Sequence, residues 1–131
     1  MKGRDQMILL SNVKKAPFPG GSYKAVINSI TEGHGKRPQK NNETNLHYDF
    51  SVFTGTAIVD VSIVVFAGAQ KEGFCKKVNR NYTGKTKGEI DVEKHIGSVV
   101  IVKFTVYKSG TGDEYLRLVE YRPYNQKEGT E

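Results

Sequence analysis

The clearest signal along the chain is an alternation. In "NLHYDFSVF", Leu46, Tyr48, Phe50 and Val52 take every second position, with His47, Asp49, Ser51 and Phe53 between them. A period of two sends successive side chains to opposite faces, so this run predicts a half-buried strand with the first set on the core. Before it, "SYKAVINSIT" (Ser22–Thr31) is rich in β-branched residues, is bounded by glycines and reads as an earlier strand. After it, "TGT" (Thr54–Thr56) predicts a tight turn into "AIVDVSIVVFAG" (Ala57–Gly68), the returning arm of a hairpin.

Beyond Gly68 the alternation stops. Phe74, Val78 and Tyr82 lie four apart, which aligns them on one side of a helix, while Gly73 and Asn79 weaken it. The segment is therefore a short helix or an irregular insert. "SVVIVKFTVYK" follows Gly97 as a long strand, with Val100, Val102, Phe104 and Val106 on the core face. Val99, Ile101, Lys103, Thr105 and Tyr107 share the opposite face. "SGTGDE" turns the chain and "YLRLVEYR" brings it back, with Leu116 and Leu118 expected inward and Tyr115, Arg117, Val119 and Tyr121 outward.

"APFPGG" (Ala16–Gly21) punctuates the chain with two prolines and two glycines. It divides the sequence into a leader (1–21), a single domain (22–123) and a polar tail (124–131). Five strands with an insert between the third and fourth is the order of an all-β, five-stranded Greek-key barrel of the oligonucleotide/oligosaccharide-binding (OB) type. Closure would remove the apolar strand edges that invite aggregation. The pattern does not distinguish a closed barrel from a five-stranded sheet with a helix packed on one face.

Charge adds a partner class. The 131 residues carry 20 Lys and Arg against 14 Asp and Glu, a net charge of +6. That balance favours polyanions and makes nucleic acid the first partner to test. Cys75 is the lone cysteine, which excludes an intramolecular disulfide and suits a reducing cytoplasm. No apolar run approaches the length of about eighteen residues that a membrane span needs, so no membrane partner is expected.

Catalytic chemistry finds little support. His34, His47 and His95 are far apart and not in metal-ligand spacing, and "GKTKG" lacks the upstream glycine of a phosphate-binding loop. His47 and Asp49 share a strand face, but such a surface pair is ordinarily structural. We expect no catalytic residues, no metal and no cofactor.

Three segments, "GSYKAVINSI", "LHYDFSVFTG" and "HIGSVVIVKFTVYKSGTGDEYLRLVEYRP", resemble small phage and mobile-element single-stranded DNA-binding proteins with the OB fold. The resemblance covers roughly Gly20 to Pro123. It rests on a Gly-x-Tyr opening the first strand, a glycine introducing the fourth, and an apolar-aromatic strand closing the last hairpin. It implies a non-enzymatic protein that coats single strands in replication or recombination, in the host cytoplasm if phage-encoded, with replication or recombination proteins as further partners. The chain lacks the Gly/Gln-rich linker and acidic, Phe-ending tail of the better-known bacterial single-strand binders.

Such binding needs aromatic rings for bases and cations for phosphates, each stacked base contributing about 1–3 kcal/mol. The expected stacking residues are Phe53, Tyr107, Tyr115 and Tyr121, and the expected phosphate contacts are Lys36, Arg37, Lys40, Lys103 and Arg117. The first three cations lie in "GHGKRPQKNNET" (Gly33–Thr44), a loop without an aliphatic or aromatic side chain. A second basic segment runs from Lys71 to Lys87. RNA in place of DNA stays open, as does a homodimer or higher oligomer. The rival reading is a protein-interaction module, with Val99, Ile101 and Val119 forming the interface.

Overall fold

A computed structural model describes residues 13–33, 44–85 and 91–124. Five strands form one antiparallel sheet: β1 (Gly21–Gly33), β2 (Asn45–Phe53), β3 (Ile58–Val65), β4 (Val99–Lys108) and β5 (Glu114–Pro123). Among the described residues between β3 and β4 lie an α-helix, α1 (Ala69–Thr83), and a 3-10 turn (Val92–His95). The strand order is β3-β2-β1-β4-β5, so β1 is central and the chain crosses from one edge toward the other through α1. The sheet is not closed. β3 and β5 remain its edges where a closed barrel was the expectation, and the alternative of a sheet with a helix is the arrangement observed. Among the described residues no helix is long and apolar enough to cross a membrane.

The alternation in β2 is realised in full: Leu46, Tyr48, Phe50 and Val52 are at most 2% exposed. Val100, Val102 and Phe104 face them from β4, and Ala25 and Ile27 from β1. Phe74 and Val78 of α1 complete the same core, as their four-residue spacing predicts. The helix ends at Gly84, whose left-handed backbone (φ +80°) lets its N–H reach Arg80 O at 2.8 Å. Gly97 is left-handed too, at φ +87°. Its N–H donates to Ile27 O at 2.7 Å, which starts the β1–β4 seam beside an irregularity between Ile27 and Ser29.

Phe18, in the segment just before β1, joins the core: it is 7% exposed and its ring lies 4.7 Å from Tyr23 and 5.5 Å from Phe104, centroid to centroid. Two further expectations need correction. Val106, expected in the core, is 38% exposed, and β4 is exposed on both faces from Thr105 to its end. Tyr121, expected outward, is fully buried. The register explains it: Lys103 pairs with Glu120 but Phe104 pairs with Leu118, leaving Val119 as an extra residue. A bulge of one residue resets the alternation, so Leu118 and Tyr121 both face inward although three positions apart.

The buried Tyr121 hydroxyl is satisfied by Tyr48 Oη at 2.8 Å and His95 Nδ1 at 2.7 Å. Tyr82 of α1 stacks on the His95 ring, with centroids 4.0 Å apart and planes 15° from parallel. Burial raises the Tyr48 and Tyr121 pKa values far above the ordinary phenol, pushes Tyr82 up to about 12, and lowers that of His95. These groups are neutral at physiological pH and serve the fold.

Candidate functional site

The open seam between β3 and β5 gathers three exposed aromatic rings, Phe66, Tyr107 and Tyr115. Residues Val61 to Ile63 approach Glu114 to Leu116, and Val64 and Phe66 lie with Arg117 around a cleft of about 360 Å³. The two edges therefore run side by side in the same direction without pairing. The floor is Ile63 and Leu116, one wall carries Phe66, and the other carries Tyr107 and Tyr115. Phe66, Tyr107 and Tyr115 are 57%, 50% and 41% exposed. Large aromatic rings left this open in a small domain are where a ligand is sought first.

The tyrosine pair follows from the hairpin. Tyr107 and Tyr115 are direct cross-strand partners, and their ring centroids lie 6.5 Å apart. Each ring carries a cation. The Arg117 guanidinium lies 5.3 Å from the Tyr107 centroid, and Lys14 Nζ lies 5.3 Å from that of Tyr115. At an exposed site each such contact contributes about 0.5–1 kcal/mol.

Lys14 is held in place by backbone. Its N–H donates to Asp113 Oδ1 at 2.9 Å, and its carbonyl accepts from the Glu114 N–H at 2.8 Å. The Ala16 N–H donates to Glu114 Oε1 at 3.1 Å. Residues 14–17 thus lie along the start of β5, and Lys14, Lys15 and Pro17 line a second recess of about 270 Å³ that shares Ser62, Ile63, Tyr115 and Leu116 with the first. A third, of about 290 Å³, continues past Arg117 between β5 and α1, with Lys77 on its rim. The recesses follow one another along β5, with cations in each.

Of the residues expected from sequence, Tyr107, Tyr115 and Arg117 come together here. Lys103 is exposed on the same face of β4, and Tyr121 is withdrawn into the core. Phe53 is half-buried on the outer face near the opposite end of the sheet, 5.9 Å from Lys24 Nζ. Lys36, Arg37 and Lys40 lie outside the described residues. Lys71, from the second basic segment, donates to Thr44 O at 2.8 Å.

Phe66 and Lys14 were not singled out from sequence. Phe66 was legible there: it continues the outward period of Ile58, Asp60, Ser62 and Val64 by one further step. Lys14 was not, since its position depends on its segment docking against Asp113 and Glu114.

The His47–Asp49 pair has another use. Asp49 accepts hydrogen bonds from Ser29 and Ser62, which hold its carboxyl below the usual carboxylate range. Beside it Ser51 donates to Asp60 at 2.8 Å and accepts from Asn28 at 2.8 Å. The result is a hydrogen-bonded ladder across β1, β2 and β3. Among the described residues no group of three or more His, Cys, Asp and Glu side chains is placed to hold a metal ion.

No known protein family, curated protein or solved structure matches this chain.

Proposed function

We propose that the protein binds single-stranded nucleic acid, DNA first, by stacking unpaired bases on Tyr107, Tyr115 and Phe66 while Arg117, Lys14 and Lys15 neutralise the flanking phosphates. The observation that carries this reading is the exposed tyrosine pair with one cation on each ring, set at the rim of an aromatic cleft. Base stacking is tolerant of sequence because every base has a π face, and a fixed row of cations tracks the backbone regardless of sequence.

The strand order supports an OB-like relationship. β1 sits between β2 and β4, the helix falls between β3 and β4, and β3 runs beside β5, which is the connectivity of an OB barrel left open along its last seam. An opening at that seam gives the bases access to apolar floor residues that a closed barrel would cover. The proposed role is coating single strands during replication or recombination, in the manner of the phage and mobile-element proteins that the sequence resembles.

The test is fluorescence anisotropy with labelled oligo-dT. Replacing Tyr107 or Tyr115 by Ala is expected to weaken binding by about 5- to 150-fold, the range set by 1–3 kcal/mol per stacked base. Unchanged affinity in both variants would remove the tyrosine pair from the site.

A further inference from the structure

The outer face of the sheet is divided by charge. β2 and β3 contain no Lys or Arg, and their outer face presents Asp49 and Asp60 in the serine ladder. β4 and β5 contain Lys103, Lys108, Arg117 and Arg122. Their two acids are Glu114, which accepts from the Ala16 N–H, and Glu120, which accepts from Asn81 Nδ2 at 2.9 Å and is the cross-strand partner of Lys103, so the four cations outnumber the acids two to one. The cleft lies on the boundary between the two halves, so a strand leaving it meets carboxylates on one side and cations on the other.

The cationic side ends in a second aromatic group. Tyr124, 44% exposed, follows the end of β5, and its N–H donates to Val99 O at 3.1 Å. Lys24 Nζ lies 4.5 Å from the Tyr124 ring centroid and 5.9 Å from that of Phe53. The register places Phe53, Lys24, Ile101 and Arg122 in one row across β2, β1, β4 and β5. Between this row and Tyr107, the outward positions of β4 are Lys103 and Thr105, the latter paired with Arg117. Aromatic rings therefore stand at both ends of a basic stripe.

We infer that the bound strand runs from Tyr107 and Tyr115 along the outer face of β4 and β5 to Lys24 and Tyr124, and that the outer face of β2 around His47 and Asp49 stays bare. The inference rests on the single-strand reading above and adds the path. From Tyr107 to Val99 is eight residues, about 27 Å of strand at ~3.4 Å per residue. A path of that length suits a chain of several nucleotides, and single-strand sites on small barrels take about 4–16.

The experiment titrates labelled oligo-dT of about twenty nucleotides, long enough to cover the whole stripe, with the full chain and four variants. Lys24→Ala is expected to weaken binding and reduce the log–log salt slope by about 0.7, the loss of one phosphate contact. Tyr124→Ala is expected to weaken binding about tenfold, as for a lost stacking platform. His47→Ala, on the outer face of β2, is expected to bind as the wild type does. Tyr107→Ala reports on the cleft itself. Matching thermal midpoints confirm that each variant is folded.

If Tyr107→Ala weakens binding while Lys24→Ala and Tyr124→Ala do not, the path is wrong and the single-strand reading stands. A loss in His47→Ala equal to that in Lys24→Ala also overturns the path, since the outer face of β2 is then occupied. A wild-type protein that does not bind oligo-dT overturns both.

Discussion

Tyr121 and Tyr48 meet hydroxyl to hydroxyl at 2.8 Å in the centre of the core, one from the edge strand β5 and the other from β2. Both rings are fully buried, so their polar ends have no access to water. Tyr121 also bonds His95 Nδ1, which ties the 3-10 turn to the same point. Replacing Tyr121 by Phe leaves the Tyr48 hydroxyl and the imidazole each short of a partner. We expect a loss of about 2 kcal/mol of stability, the scale of a buried polar group left unsatisfied. Denaturant unfolding measures it, and oligo-dT affinity below the transition should be unchanged, because Tyr121 has no surface to offer a base.

Stability should depend on pH through His95. Burial among Tyr121 and Tyr82 lowers its pKa, and the nearby Asp91 opposes that only in part. The unfolded chain takes up a proton at about pH 6.5 while the folded chain does not. In that window the unfolded state binds more protons, so stability is fully present above pH 6.5 and declines as pH falls toward the lower folded value. Thermal midpoints between pH 7.5 and pH 5, roughly spanning that window, should fall for the wild type. They should fall less for His95→Gln. The depressed Asp49 carboxyl adds a separate loss that begins only below its ordinary value of 3.8.

Phe18 ties the segment just before β1 to the folded unit. Its ring packs on Tyr23 and Phe104, and the Tyr23 hydroxyl closes the segment by donating to Pro19 O at 2.6 Å. Truncation to Ala is expected to cost about 3 kcal/mol, as for other buried Phe side chains. A midpoint within experimental error of the wild type would show that this segment does not dock. The same change should also weaken nucleic-acid binding, since it loosens the segment that holds Lys14 over Tyr115.

Arg117 serves the site in two ways, by lying on the Tyr107 ring and by facing the cleft. Arg117→Ala should reduce the salt slope of oligo-dT binding by about 0.7 and weaken affinity at low salt more than at high salt. Arg117→Lys should restore the slope but not the full affinity, because an ammonium lacks the planar stacking surface of a guanidinium. Anisotropy titrations at several salt concentrations separate the two effects.

Local periodicity carried much of the fold. The period of two in β2 assigned its buried face residue by residue, and the spacing of Phe74, Val78 and Tyr82 located α1 despite Gly73. What periodicity does not contain is a bulge. Val119 differs in no way from an ordinary strand valine, yet the extra residue it represents turns Tyr121 from a surface ring into the hub of the core. Closure was equally out of reach, since the separation of β3 and β5 depends on how the whole sheet curls. The tyrosine pair was legible because Tyr107 and Tyr115 flank a recognisable turn. Lys14, Lys24 and Tyr124 were not, because each reaches its partner across strands or through the docked segment before β1.

The most direct measurement is anisotropy of a labelled oligo-dT of about thirty nucleotides, longer than one such site, titrated with the protein at about 50 mM and 300 mM salt, with duplex of the same length as competitor. Tight binding that weakens steeply with salt and resists duplex is the predicted result. Absence of binding at the lower salt, or displacement by duplex at equal concentration, would contradict it. Binding to a protein partner through Val99, Ile101 and Val119 that survives the higher salt would then be the reading to pursue.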